Sequence, residues 1–351
     1  MSAALQQPPV TELPPTPRGS LLRAELHRFR ARRFIQVLAG VGVLVWAVAV
    51  VVGLLNFGEP TAADRAAAQA QMDQMLAENE AFRQDCLADP EQFAGPVPDG
   101  TTAEDICGPP LTEQDMGGVE SLITKQPFDL ASAGTGGALA FAGLASALAF
   151  VVGATWIGAE WSTRSIVALL FWAPQRLRVV GAKLAVLVAG ATAFGVAAQV
   201  GWLTMAGILD AAAGLDDPLP DGFWSTLLQT QARGVLLVVL AAVLGFGLTS
   251  IVRNTGAALG AAFLYVVAVQ LFLANVKPSW SQWMLGTNAV GLVNEGGLTL
   301  FFYDQIDYSA ENLGEPVTYY LGHLQSGLFL AAVAAVLVGV GSWLFARRDI
   351  H

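Results

Sequence analysis

The sequence predicts an all-α polytopic membrane protein, and three observations carry that expectation. Of its residues 54% are apolar and only 13% are charged. The apolar residues gather into six runs free of Asp, Glu, Lys and Arg, each about 19 to 26 residues long, enough to cross a hydrocarbon core of roughly 30 Å. Basic and acidic segments alternate between those runs, so the net charge of −10 describes no single surface.

Taken in order, residues 1–19 hold Pro8, Pro9, Pro14, Pro15 and Pro17 without apolar periodicity and read as a disordered tail. Residues 20–33 read as an interfacial helix. Leu22, Leu26 and Phe29 recur at helical spacing, while Arg23, Arg28, Arg30, Arg32 and Arg33 take the other faces and would attract anionic lipid headgroups. The spans are then expected at 34–55, 138–157, 184–209, 234–252, 255–274 and 326–345, with only Arg253 and Asn254 between the fourth and fifth. The first run is too long for a cleavable signal peptide and lacks a small-residue cleavage pattern after it.

Orientation follows from Lys and Arg near the span ends. The arginine-rich helix, the segment 158–183, Arg253 and the tail 346–351 with Arg347 and Arg348 share one side. That side is expected to be the cytoplasm, with both termini on it. The segments 56–135, 210–233 and 276–325 carry most of the acids and face outward.

The segment 56–135 is long enough for a small extracytoplasmic module. Thr61 to Leu87 is rich in helix formers, with a stop expected before Pro90. Cys86 and Cys107 lie in this segment on the oxidising side, where a disulfide would close a loop of roughly 20 residues and stabilise it by about 3 kcal/mol; two free thiols are the alternative. No His accompanies them, which argues against a metal pair.

Residues 158–183 form a compact amphipathic segment between two uncharged runs. Glu160, Trp161, Ser162 and Thr163 open it, with Glu160 and Arg164 four apart; Pro174 interrupts it; Arg176, Arg178 and Lys183 close it with positive charge. Ile166 to Trp172 between them is too short to span and suits contact with a partner or membrane surface. An ordinary loop with interfacial Trp and Arg would share this composition. The segment 276–325 contains an apolar stretch from Met284 to Val293, read as a re-entrant hairpin or an interfacial helix.

Several function classes are excluded by what is missing. No phosphate-binding loop and no Gly-Lys pair occur, and no run holds an acid or His for proton or sodium coupling. His27, His323 and His351 are scattered, so neither a catalytic nor a metal constellation is visible, and the arginines before the first span favour lipid over nucleic acid. The runs do contain Gln199, Thr204, Thr249, Ser250, Tyr265 and Gln270, candidates for helix packing or a substrate pathway. Gly256 and Gly260 would let two helices approach closely.

With these residues set out, the chain from Ser20 to Ile350 resembles the permease subunits of bacterial ABC-2 type exporters. Three features carry the likeness: the elbow helix 20–33 before the first of six spans; Glu160-Trp161-Ser162-Thr163 followed by Pro174, Arg176, Arg178 and Lys183; and the terminal Phe345-Ala346-Arg347-Arg348-Asp349. The resemblance implies a permease of the bacterial plasma membrane, paired with a second copy or a similar subunit. Two separate ATPase subunits would carry ATP and Mg and receive 158–183 as a coupling segment. This chain would then have no cofactor and no enzymatic activity of its own. The enlarged loop 56–135 departs from the compact family pattern and leaves open an extracytoplasmic partner. Two other readings follow from that departure: an ABC-type complex for sensing or for maturing an exported protein, and a non-transporting anchor or receptor.

Overall fold

The computed structural model describes residues 19–94, 102–163, 165, 175–307 and 314–347. The protein is mostly helical, and six of its helices are long and apolar enough to cross a membrane. The chain runs α1 (Gly19–Ala31), α2 (Arg33–Asn56), α3 (Ala62–Ala88), α4 (Pro90–Ala94), α5 (Ala103–Cys107), α6 (Leu130–Ser162), α7 (Arg176–Ala213), α8 (Phe223–Val252) and α9 (Thr255–Val276). It continues through a 3-10 turn (Pro278–Trp283), α10 (Leu285–Val293), strands β1 (Leu298–Asp307) and β2 (Glu315–Leu321), and α11 (His323–Arg347).

All six spanning helices exceed the uncharged runs that predict them, three of them by a wide margin. α6 extends to Ser162, α7 begins at Arg176, and α8 begins at Phe223, so Glu160, Lys183, Asp210 and Arg233 all lie within helices. A charged residue ends a run of apolar side chains, but it does not interrupt backbone hydrogen bonding. Arg253 sits in the left-handed region at φ 59° and Asn254 accepts the Ala257 N–H at 3.0 Å, which makes the two-residue turn between α8 and α9.

The chain divides into two compact units. The first gathers the N-terminal part to Val43, Gly134–Trp202 and everything from Gly222. Its core is built by α6, α7, α8 and α11 around Trp156, Leu187, Val238, Phe246 and Phe345. Two glycines let α6 and α8 cross at backbone distance, because a Cβ on Gly153 would strike the Ala242 carbonyl and one on Gly245 the Phe150 carbonyl. Within this chain a Cβ on Gly260 would meet nothing, and one on Gly256 only the Asn254 side chain, so both lie on an open face of α9. Helix α9 is barely covered, with 6% of its apolar window buried, and its path turns from α to π geometry between Val266 and Leu273.

The second unit comprises Leu44–Ala133 and Leu203–Asp221. Within it, Gly53 packs on Leu209, and backbone bonds tie Gly58 to Gln126 and Phe128 to Ala213 and Leu215. α3 starts on a capping box in which Thr61 and Asp64 bond reciprocally, and it stops at Ala88 before Pro90. Its buried positions include Ala68, Met72 and Cys86, and Cys86 is disulfide-bonded to Cys107 with a Cα separation of 5.9 Å.

The stretch 276–325 departs from a purely helical expectation. β1 and β2 pair antiparallel from Leu298↔Leu321 to Asp307↔Glu315, with an irregularity between Phe302 and Ile306. Aromatic and β-branched residues, such as Thr299, Phe301, Phe302, Tyr303, Val317, Thr318 and Tyr319, favour the pleated backbone. Gly296 and Gly297, both at positive φ, make the turn into β1.

Candidate functional site

The site is a buried charge cluster where the elbow helix α1 meets the ends of α6 and α7. The two spans that flank residues 163–175 therefore converge on it. Lys183 is fully buried, and its Nζ donates to Glu25 Oε2 at 2.7 Å and to Glu160 Oε1 at 2.5 Å. Glu25, also fully buried, accepts from Arg28 Nη1 at 2.8 Å. Two carboxylates clamping one ammonium leave that trio with one surplus negative charge, which Arg28 offsets.

Trp156 forms the floor of the cluster. Its Nε1 donates to the Lys183 carbonyl at 3.3 Å, the Lys183 ammonium lies 5.0 Å from its ring centroid, and Phe29 meets it edge-on at 5.1 Å. Arg32, the residue between α1 and α2, stacks on the same indole at 4.5 Å and donates to the Thr155 carbonyl at 2.9 Å. Burial pulls the Arg32 guanidinium below its ordinary value, while Glu160 and Glu25 pull it back up.

A second staple holds the other side of the same region. Arg176 donates to the Phe345 and Ala346 carbonyls at 3.1 and 3.4 Å, capping the last turn of α11. Trp161 meets Phe345 edge-on at 5.7 Å and carries the Arg253 guanidinium over its face at 4.5 Å. The ends of α6, α7, α8 and α11 are thereby cross-linked around the start and finish of the segment.

This placement revises several expectations. Lys183, read with Arg176 and Arg178 as the positively charged close of the segment, is buried between two acids, because an ammonium in an apolar bundle is tolerated only when paired. Glu160 faces Lys183 and is buried within this chain. Leu22 and Leu26 are exposed, whereas Glu25 and Phe29 form the packed side of α1. Arg23, Arg28, Arg30 and Arg33 are exposed, as are Ser162, Thr163 and Arg178. Arg164, the stretch 166–174 with Pro174, Arg348 and Asp349, and the tail 1–18 lie outside the described residues.

Glu25 is the cluster residue that sequence reasoning missed. Its signal was available as the only acid among the seven ionisable or histidine side chains from Arg23 to Arg33.

The polar residues of the spans divide. Gln199 is buried and donates to the Ala138 carbonyl at 3.1 Å, and Gln231 donates to the Gln199 carbonyl at 3.3 Å, so these two tie α6, α7 and α8 together. Thr249 and Ser250 are buried in α8, with Ser250 bonded to the Phe246 carbonyl, while Thr204 is exposed. Tyr265 and Gln270 act elsewhere. The Leu285 N–H donates to Tyr265 Oη at 2.8 Å and the Gly286 N–H to Gln270 Oε1 at 3.0 Å, satisfying the first turn of α10 from a neighbouring helix.

Among the described residues no three His, Cys, Asp or Glu side chains are arranged to hold a metal ion. No family model, curated protein or solved structure matches this chain. What the chain does must be read from the residues themselves.

Proposed function

We propose that the chain is the permease subunit of an ABC-2 type exporter in a bacterial plasma membrane. It would form the pathway for a lipid, drug or peptide-like substrate, while separate subunits hydrolyse ATP. It would act with a second copy or a similar permease, with both termini and residues 158–183 in the cytoplasm.

The observation that supports this reading best is the Lys183–Glu25–Glu160 cluster at the base of the segment. A segment that receives force from an ATPase needs a stiff root, or the displacement dissipates in side-chain motion. Here the root is cross-linked to the elbow helix through Lys183 and to the last span through Arg176 and Trp161. A pull on 163–175 would therefore move α6, α7 and α1 as one body. In this mechanism Glu160 and Lys183 transmit force internally, and direct docking to the ATPase falls to the residues between them. Tyr265 and Gln270 would link α9 to α10, the short helix on the exit side.

The test is purification of the tagged full chain in mild detergent, with ATPase activity assayed on the eluate, beside a variant lacking Ser162 to Trp172. A co-purifying ATPase that disappears with the deletion supports the assignment. A homomer free of ATPase activity overturns it. A second reading, sensing or maturation of an exported protein, draws support from the disulfide-closed unit, which holds a cleft of about 480 Å³ beside Phe57, Glu120 and Phe128.

A further inference from the structure

Beside the buried cluster a groove of about 890 Å³ runs between α1 and the last turns of α6, walled by Arg28, Arg32, Arg33, Phe34, Glu160 and Thr163. That volume falls within the roughly 300–1,000 Å³ of small-molecule sites. Its charges do not balance internally. Among the described residues Arg28, Arg32, Arg33 and Lys183 stand against Glu25 and Glu160, a surplus of two positive charges on or directly behind its walls. Arg28 spends one nitrogen on Glu25, and Arg32 is committed to the Thr155 carbonyl and the Trp156 face. Arg33 is exposed and bonds no described side chain.

One acceptor in the wall is also unmet. Glu160 gives Oε1 to Lys183, but its Oε2 is buried and has no hydrogen-bond partner. A carboxylate oxygen so placed calls for a donor, while the surplus positive charge around it calls for an anion. A ligand that supplies both carries a phosphate and, a few bonds away, a hydroxyl. Phe34 and Ala31 add an apolar edge to the same groove, and Leu22, Leu26 and Val37 beyond it are exposed.

We propose that this groove binds one anionic phospholipid whose headgroup bears hydroxyls, of the phosphatidylglycerol class. Its phosphate sits between Arg28 and Arg33, a headgroup hydroxyl donates to Glu160 Oε2, and the acyl chains leave past Phe34. Bound there, the lipid bridges α1 and α6 on the outer side of the Lys183 cluster. This assignment requires only that the chain spans a membrane, and it stands apart from the exporter reading.

The experiment is native mass spectrometry of the full chain released from neutral detergent, titrated in turn with phosphatidylglycerol, phosphatidylcholine and soluble glycerol phosphate. One phosphatidylglycerol is expected to stay bound at detergent-stripping energies, with phosphatidylcholine held about tenfold more weakly because it has the phosphate but no donor. Arg33→Gln, which removes no internal bond, is expected to weaken phosphatidylglycerol about tenfold, and Arg28→Gln at least as much. Arg23→Gln/Arg30→Gln, on the same helix but off the groove, is expected to change it by less than about twofold. Equal loss in that second pair would make the attraction diffuse and overturn the site. Equal retention of phosphatidylcholine would remove the role of Glu160 Oε2. Displacement of the lipid by glycerol phosphate at similar concentration would assign the groove to a soluble phosphate ester instead.

Discussion

Replacing Lys183 by Met removes the central cation and keeps most of the side-chain volume. Glu25 Oε2 and Glu160 Oε1, now held 2.7 and 2.5 Å from the same nitrogen, would face each other across a buried gap of about 5 Å at most. At an effective dielectric near 20, two such charges repel by about 3 kcal/mol, and truncating one member of a buried ion pair costs roughly 3–5 kcal/mol. At roughly 2–4 °C per kcal/mol, K183M should unfold about 10 °C below the parent in a thiol-independent thermal assay in detergent. The triple variant Glu25→Gln, Glu160→Gln, Lys183→Met carries the same loss of the ammonium without stranded charge, and it should recover most of the difference. Unfolding of K183M within about 1 °C of the parent would refute a structural role for the cluster. A triple variant as unstable as K183M would show that packing around Trp156, not charge, sets the loss.

Four further outcomes are expected. Cys86→Ser/Cys107→Ser should destabilise the second unit by about 3 kcal/mol and expose α3 to limited proteolysis. Tyr265→Phe and Gln270→Ala should each raise amide exchange at Leu285 and Gly286 about five- to thirtyfold, since each loses a first-turn acceptor worth about 1–2 kcal/mol. Gly245→Leu should prevent the α6–α8 crossing and yield aggregated protein on size exclusion, whereas Gly260→Leu should purify as the parent does. Asp64, Asp105 and Asp115 are held below their ordinary range by bonds from Thr61, Thr102 and Thr112, and Glu80 is held at about 2 by Arg83 and Gln84. Their folded values lie below the unfolded ones, so this stabilisation is complete above about pH 4.5 and fades as pH falls toward 2, a slope that Glu80→Gln should flatten in thermal unfolding against pH.

Features written in local pattern were legible in the sequence. Six apolar runs specify six spans because a bilayer demands about 20 residues of unbroken apolar helix. The start of α3 follows from Thr61 and Asp64 three apart, and its end from Pro90. The Arg253–Asn254 turn and the Cys86–Cys107 pair need no knowledge of the rest of the fold. The β-hairpin was also written locally, in the aromatic and β-branched residues of 298–321, but a chain read as all-α leaves no place for strands; the stretch Met284 to Val293, read as re-entrant or interfacial, forms α10. The spacing of four between Gly256 and Gly260 marks a smooth helix face, which this chain itself leaves largely open. The crossing glycines, Gly153 and Gly245, are 92 positions apart in number and share no motif.

The charge cluster was illegible for a physical reason that bears on how such chains are read. Glu25 and Lys183 are separated by 158 positions and Lys183 and Glu160 by 23, so no periodicity connects them. Lys183 and Glu160 lie next to apolar runs, where an ionisable group looks like the point at which a helix leaves the membrane. The alternative is that the helix continues and the group turns inward to a partner. Desolvation separates the two cases, because an inward charge is stable only if an opposite charge waits for it. A lone acid in a basic stretch, as at Glu25, together with a Lys at the start of an apolar run, as at Lys183, is therefore the trace that such a buried pair leaves in a sequence.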